Sequence, residues 1–177
     1  MTTYFERTTE MKTVYGWTLH RIRATRDLPH HGVKAGDLGG WLGDGAQLCD
    51  GAWICGDANV AGNARVFGYA RVWGDARVSG DARVTGNANI ELCHHILTLG
   101  PIGSGLVTAT LYRTSDANGH ALTVGCWTGT VDTLMAEVKR RAEHWECDAA
   151  TAKIWKAQYK AFIKQCRVQI ALWAVTA

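Results

Sequence analysis

Four residues in the second half of the chain have the side chains that an anion-binding pocket needs. Arg113 can donate to a phosphate, and Trp127 offers an aromatic face to a planar base. Ser104 stands in a Gly-Ser-Gly turn whose backbone N–H groups can face an anion, and His95 adds a ring donor. Each residue type is also common in turns, on surfaces and in cores. The hypothesis is a site for a small anion or a nucleotide, provided that the fold brings these four residues together.

The same region lacks the motifs of common catalytic sites. The chain contains no phosphate-binding loop of the G-x-x-x-x-G-K type and no G-x-S-x-G nucleophile elbow. His94 and His95 are adjacent, so that in a strand their rings point to opposite faces and make a poor pair of metal ligands. Cys126 is more typical of a small buried hydrophobe than of a nucleophile. We therefore expect no enzyme activity, no cofactor and no metal.

Charge and composition restrict the partners. The 177 residues carry a net charge of +3, which is too weak for a surface that binds duplex nucleic acid. No apolar stretch approaches a membrane span, and the N-terminal residues lack the apolar core of a signal peptide. The six cysteines show neither a C-x-x-C motif nor the spacing of a zinc site. A cytoplasmic protein with reduced thiols is the expectation.

The centre of the chain, residues 44–91, is a six-residue repeat. Its eight units read DGAQLC, DGAWIC, GDANVA, GNARVF, GYARVW, GDARVS, GDARVT and GNANIE. The third position is always Ala and the fifth is always Leu, Ile or Val, so these two side chains point to one face of an extended segment. The Gly-Asp and Gly-Asn pairs favour a sharp corner between segments. The repeat therefore predicts a β-solenoid with an Ala and aliphatic interior.

The sequence predicts a cap before the repeat and a separate domain of strands and helices after it. Residues 1–43 form an N-terminal cap, made of a pairing strand and an irregular first coil, with Trp41 as a lid on the repeat core. Residues 97–177 form a C-terminal domain with a β-hairpin and two helices. The hairpin turn is Asn118-Gly119, and Asp148 caps the second helix.

The second predicted helix has one apolar face and one lysine face. The lysines recur every three or four residues at positions 153, 156, 160 and 164. A row of this kind usually lies in solvent, and attraction of an anion is the alternative.

Several motifs carry a resemblance to a known group. The runs LHRIRATRD and VKAGDLGGWL, the GNARV-type hexads, and then GPIGS, TLYRT and GCWTGTVDTL resemble phage and prophage hexapeptide-repeat proteins of largely unassigned function. The resemblance covers about residues 14–138, and Gly105 departs from the polar or basic residue that the group would have there. It implies that three hexads make one coil of a left-handed parallel β-helix, so that residues 18 apart stack.

The resemblance and the composition leave three function classes open. The first is a phage accessory protein in the host cytoplasm that sequesters a small anionic host molecule, such as a nucleotide immune signal. The second is a structural or virion-associated trimer, and the third is a hexapeptide acyltransferase, although no histidine interrupts the eight hexads. On the first two views we expect a homotrimer. Phe67 and Trp73, at the sixth position of their units, are the expected interface.

Overall fold

The computed structural model describes residues 4–176, and the repeat forms very short strands in it. They are β4 (Gln47–Leu48), β5 (Trp53–Ile54), β6 (Asn59–Val60), β7 (Arg65–Val66), β8 (Arg71–Val72), β9 (Arg77–Val78), β10 (Arg83–Val84) and β11 (Asn89–Ile90). Every Ala at the third position and every aliphatic residue at the fifth is buried, with at most 6% of its surface exposed. The predicted inward face is confirmed.

The repeat strands pair in parallel with strands 18 residues away. Arg65 lies beside Arg83, and Asn59 lies beside Arg77, which is the register expected for these residues. Backbone hydrogen bonds follow the same spacing, for example from the N–H of Arg65 to the carbonyl of Ala82 at 2.9 Å. The glycine that opens each of the last six units, from Gly56 to Gly86, has a positive φ, which only glycine adopts without cost.

The N-terminal segment consists of three strands, β1 (Phe5–Val14), β2 (Trp17–Ala24) and β3 (Leu38–Gly43), with a 3₁₀ turn at Pro29–His31. The first two form an antiparallel hairpin, and β2 continues antiparallel to β3. Strand β3 then pairs in parallel with β6, because Gly39 and Gly40 let its backbone lie against Trp53 and Ile54.

The C-terminal segment begins with a 3₁₀ turn at Cys93–His95. Four strands follow, β12 (Ile96–Ile102), β13 (Val107–Arg113), β14 (His120–Val124) and β15 (Trp127–Gly129), and then two helices, α1 (Leu134–Ala142) and α2 (Ala149–Val175). The strands form one antiparallel sheet in chain order. The Asp148 carboxylate accepts a hydrogen bond from the Thr151 N–H at 2.7 Å, which confirms the predicted cap of the second helix.

The predicted fold class is wrong for the chain as a whole. A single parallel β-helix with a hairpin and two helices behind it was expected, but the structure has four separate sheets. One is mixed, with the order β1-β2-β3-β6-β9, two are parallel, and the last is antiparallel. The reason is that the N-terminal hairpin adds antiparallel strands to one face of the repeat, and that β12 and β15 enlarge the expected hairpin. The two helices and the antiparallel hairpin of β13 and β14 agree with that prediction.

Trp41 is not a lid on the repeat core. Its indole lies in a small separate cluster with Leu19 and Ala61, outside the main core, and the Lys12 ammonium lies 4.3 Å from the ring centre. Leu42, the next residue along β3, points the other way and packs into the main core. The alternation of side chains along a strand therefore places Leu42, not Trp41, against the Ala and aliphatic interior.

Candidate ligand-binding site

Two of the four predicted site residues are neighbours in the structure. A guanidinium nitrogen of Arg113 lies 3.1 Å from Nε2 of His95. The imidazole is fully buried, and the backbone N–H groups of Glu91 and Leu92 lie 3.2 and 3.3 Å from its Nδ1. Burial, followed by the charge of Arg113, lowers the pKa of His95 to about 4. His95 is therefore a neutral, enclosed ring at physiological pH.

The other two predicted residues lie elsewhere. Ser104 is exposed in the turn that precedes β13, whereas Arg113 is the last residue of that strand, about 20 Å away along an extended chain. The Gly103 N–H in the same turn already donates to the Gln158 side chain at 2.9 Å. Trp127 begins β15 and packs against the core of the C-terminal segment. The four residues do not form one pocket.

The predicted interface residues are half-buried on the outside of the repeat. The Arg83 guanidinium stacks over the Phe67 ring at 5.2 Å, and the Arg71 guanidinium stacks over the Trp73 ring at 5.1 Å. The Trp73 indole N–H also donates to the Asn89 side-chain oxygen at 2.7 Å. Both aromatic rings are thus held in place within the chain, and both keep part of their surface in solvent.

A polar cleft of about 430 Å³ lies where three segments of the chain meet, and its size suits a small organic ligand. The N-terminal loop contributes one wall, the repeat contributes the floor, and the turn between β13 and β14 contributes the opposite rim. The residues that line it are His30, His31, Tyr69, Arg71, Asn87, Ala88, Asn89 and Ser115. We refer to it as the polar cleft.

The N-terminal wall is held by hydrogen bonds to the repeat. The Nε2 atom of His31 donates to the Gly51 carbonyl at 2.8 Å, and burial lowers the pKa of this imidazole. Gly32, in the left-handed region, donates its N–H to the Pro29 carbonyl and closes the 3₁₀ turn. The His30 ring contacts Tyr69 with 4.4 Å between centroids. The local turn therefore presents two imidazoles to the repeat.

The floor is set by the alternation within one hexad. Ala70 is buried, so its neighbours Tyr69 and Arg71 both point outward into the cleft. Arg71 lies between Trp53 and Asn89 in the parallel ladder. Tyr69 as a residue is 53% exposed. An aromatic face and a guanidinium are consequently held two residues apart on the same surface.

The opposite rim is tied to the last hexad. The Asn87 amide donates to the Asp116 carboxylate at 2.7 Å, and the backbone N–H and hydroxyl of Ser115 donate to the Asn87 carbonyl at 3.0 and 3.2 Å. Thr114 forms an antiparallel bridge with Ala88. The turn between β13 and β14 is thereby fixed over the end of the repeat, and the cleft is preformed.

Among the described residues that line the cleft, Arg71 is the one with a permanent charge, and the Asp116 carboxylate at the rim is engaged by the Asn87 amide at 2.7 Å. No carboxylate of residues 4–176 lies within ion-pairing distance of Arg71. Its guanidinium stacks over the Trp73 ring, and its charge adds to burial in lowering the pKa of the neighbouring His31. Arg71 is exposed, so a ligand can reach the guanidinium. A phosphate or carboxylate would accept from this fork, and a planar ring would stack on Tyr69.

None of these residues was predicted as part of a ligand site, yet one signal in the sequence points to the cleft. From the third hexad onward the second position is Asp or Asn in every unit except GYARVW, where it is Tyr69. A bulky aromatic residue replaces a turn-forming residue there, and turn formation does not explain it. That exception, followed two residues later by Arg71, is the feature that marks the site.

Three further observations concern the chain as a whole. No helix within residues 4–176 is both long and apolar enough to cross a membrane. In the same part of the chain no group of three or more His, Cys, Asp or Glu side chains is arranged to hold a metal ion. Comparison with protein-family models, curated proteins and solved structures finds no match in any of the three.

Proposed function

We propose that this protein is a non-catalytic binding protein whose polar cleft takes a small anionic ligand with a planar ring, of the nucleotide class. The observation that carries the proposal is the pairing of Arg71, which has no carboxylate partner among the described residues, with the exposed ring of Tyr69 in a preformed cleft. A guanidinium is well suited to a phosphate, and an aromatic face is well suited to a base.

The size and contacts of the cleft support this ligand class. A volume of about 430 Å³ accommodates a mononucleotide-sized molecule. Asn87 and Asn89 line the cleft, and their side chains are held by Asp116 and Trp73. Because these partners already fix the cleft walls, little conformational entropy is lost when a ligand binds.

The biological role follows the resemblance of the sequence motifs to phage hexapeptide-repeat proteins. A protein of this kind in the host cytoplasm would lower the free concentration of a nucleotide signal by holding it. Stoichiometric sequestration needs only tight, slow-dissociating binding, and no chemical step. The assembly we propose is a homotrimer in contact through Phe67 and Trp73.

The test combines ligand discovery with matched variants. Native mass spectrometry of the protein purified from cells, before and after denaturation, identifies a bound small molecule by its mass. Titration calorimetry with mononucleotides and cyclic dinucleotides then measures affinity. Arg71→Gln removes the phosphate donor and is expected to weaken binding by about ten- to a hundredfold.

Arg65→Gln is the matched control, because Arg65 has the same position in its own hexad and lies outside the polar cleft. Its affinity is expected to match that of the unchanged protein. Equal effects of the two substitutions, or the absence of binding by any nucleotide at millimolar concentration, would contradict the proposal.

A further inference from the structure

The longest helix carries a row of cations without a single acidic residue. Helix α2 has 27 residues, and its only charged side chains are basic. They are Lys153, Lys156, Lys160, Lys164 and Arg167, all exposed and spaced by three or four residues. This spacing puts them on one face of the helix, over about 20 Å. We refer to these five residues as the basic row.

Beside the basic row lies an apolar groove of about 660 Å³ between α2 and the start of α1. Val131 and Ile163 form its buried floor, and Val168, which is 59% exposed, forms one side. Three cations, Lys160, Lys164 and Arg167, stand on its edge together with one carboxylate, Asp132, which lies 3.2 Å from the Arg167 guanidinium. The groove therefore combines an aliphatic floor with a cationic rim, over about three helical turns of α2.

We propose that this groove binds an acidic amphipathic helix of a partner protein. An amphipathic helix that lies in a groove places its apolar face on the floor and its flanking charges on the rim. Here the floor is apolar, and Lys160 and Lys164 leave the rim with a net positive charge after Asp132 has paired with Arg167. The matching helix therefore carries Glu or Asp beside its apolar stripe. The proposal concerns a different surface from the polar cleft and does not depend on the nature of a ligand there.

A second copy of this chain is a poor occupant. Its α2 carries no carboxylate, so two basic rows would repel each other. The only acidic residue of α1, Glu137, is already engaged by Arg140 and Arg141 at 2.8 and 2.6 Å. Neither helix of a second copy could therefore supply free negative charge to the rim.

Other anionic partners fit less well. Single-stranded nucleic acid is bound through aromatic side chains that stack on bases, and the groove is aliphatic. A lipid surface would meet the apolar residues of α2 that project outward, such as Ile154 and Val175, which lie outside the groove. The groove floor of Val131 and Ile163 is recessed, with 2% and 7% of the surface exposed. A concave apolar floor is the shape that receives another helix.

The direct experiment is fluorescence anisotropy with a labelled peptide of about 18 residues, which is five helical turns. The peptide has leucines on one face and glutamates beside them, and a second version has lysines in place of the glutamates. We expect micromolar binding of the acidic peptide, weakening with salt, and at least tenfold weaker binding of the basic peptide.

Variants of the rim make the test specific. Lys160→Glu together with Lys164→Glu should weaken binding of the acidic peptide at least tenfold and should improve binding of the basic one. Lys139→Glu, an exposed cation on α1 that does not line the groove, is the matched control and should change neither. Val168→Asp should remove binding while circular dichroism shows an unchanged fold, because this side chain is largely exposed.

Three outcomes would overturn the proposal. The first is no binding of the acidic peptide at about 100 µM. The second is binding that the rim reversal leaves unchanged. The third is tighter binding, lost in the same variants, of phosphatidylserine vesicles or of single-stranded DNA, which would assign the basic row to a lipid surface or to nucleic acid.

Discussion

Replacing one corner glycine of the repeat should destabilise the protein far more than replacing its equivalent one layer away. Gly62 and Gly80 are 18 residues apart and have nearly the same φ, 65° and 66°. A methyl group added at Gly62 would lie 2.9 Å from the Gly80 nitrogen and 3.1 Å from its oxygen. At Gly80 the same group would meet nothing within 4 Å.

The magnitudes follow from these two environments. Both alanine variants lose the freedom of glycine at positive φ, which costs about 1–2 kcal/mol. Gly62→Ala also forces two backbone segments apart, and such overpacking adds about 1–3 kcal/mol. We expect Gly62→Ala to lower the free energy of unfolding by about 2–5 kcal/mol, and Gly80→Ala by about 1–2 kcal/mol.

Urea denaturation, followed by tryptophan fluorescence, measures both values, provided that the variants unfold with the same dependence on denaturant concentration. Equal losses in the two variants would show that Gly62 is not packed against Gly80. The parallel register of the repeat strands would then need revision.

The remaining predictions concern pH and assembly. Burial lowers the pKa of His95 to about 4 in the folded protein, whereas in the unfolded chain this pKa has its ordinary value of 6.5. On acidification the unfolded chain therefore binds a proton at a higher pH than the folded protein does. Stability should fall from about pH 6.5 to pH 4, and a His95→Gln variant should show a smaller fall in its urea midpoint. The hydrogen bond from Arg140 lowers the pKa of Glu137 to about 2. The ionised carboxylate therefore stabilises the folded protein at neutral pH, and this contribution is lost as the pH falls to about 2. Glu137→Gln should lower the urea midpoint at pH 7 and leave it unchanged at about pH 2. Light scattering should show that the protein is a trimer. The double variant Phe67→Ser with Trp73→Ser should be a monomer with the same circular dichroism spectrum. A monomer of the protein without substitutions would contradict the proposed assembly.

The features that the sequence predicts well are local and repeated. The inward Ala and aliphatic positions follow from a period of two within each hexad, and all of them are buried. The Asp148 cap depends on a residue three positions away, and the structure contains its hydrogen bond. Such features need no knowledge of distant parts of the chain.

The first strand shows why the fold as a whole was not predictable in the same way. Strand β1 reads FERTTEMKTV and has no apolar alternation, because neither of its faces is fully buried. It is held instead by pairing with β2 and by contacts of charged groups, such as Glu6 with Arg23 at 3.6 Å and Arg7 with the Gly43 carbonyl at 2.9 Å. Charge complementarity across strands leaves little trace in a single sequence.

The candidate site was missed for a related reason. The four residues first considered lie within one stretch, 95–127, and two of them are separated by the length of β13. The polar cleft instead joins His30, Tyr69 and Ser115 from three distant segments. Proximity of this kind is produced by the pairing of strands and by the placement of turns, and it cannot be read from spacing along the chain.

The position of the cleft also determines how a ligand would act on the protein. A molecule that contacts His30, Arg71 and Ser115 at once links the N-terminal loop, the repeat and the C-terminal turn. It therefore binds only the folded arrangement of all three, and stabilises that arrangement by mass action. A helix in the groove of α2 contacts the C-terminal segment alone. Hydrogen exchange should consequently show protection in all three segments with a cleft ligand, and only around α1 and α2 with the peptide. If either molecule gave the pattern assigned to the other, the two sites would have been placed on the wrong surfaces.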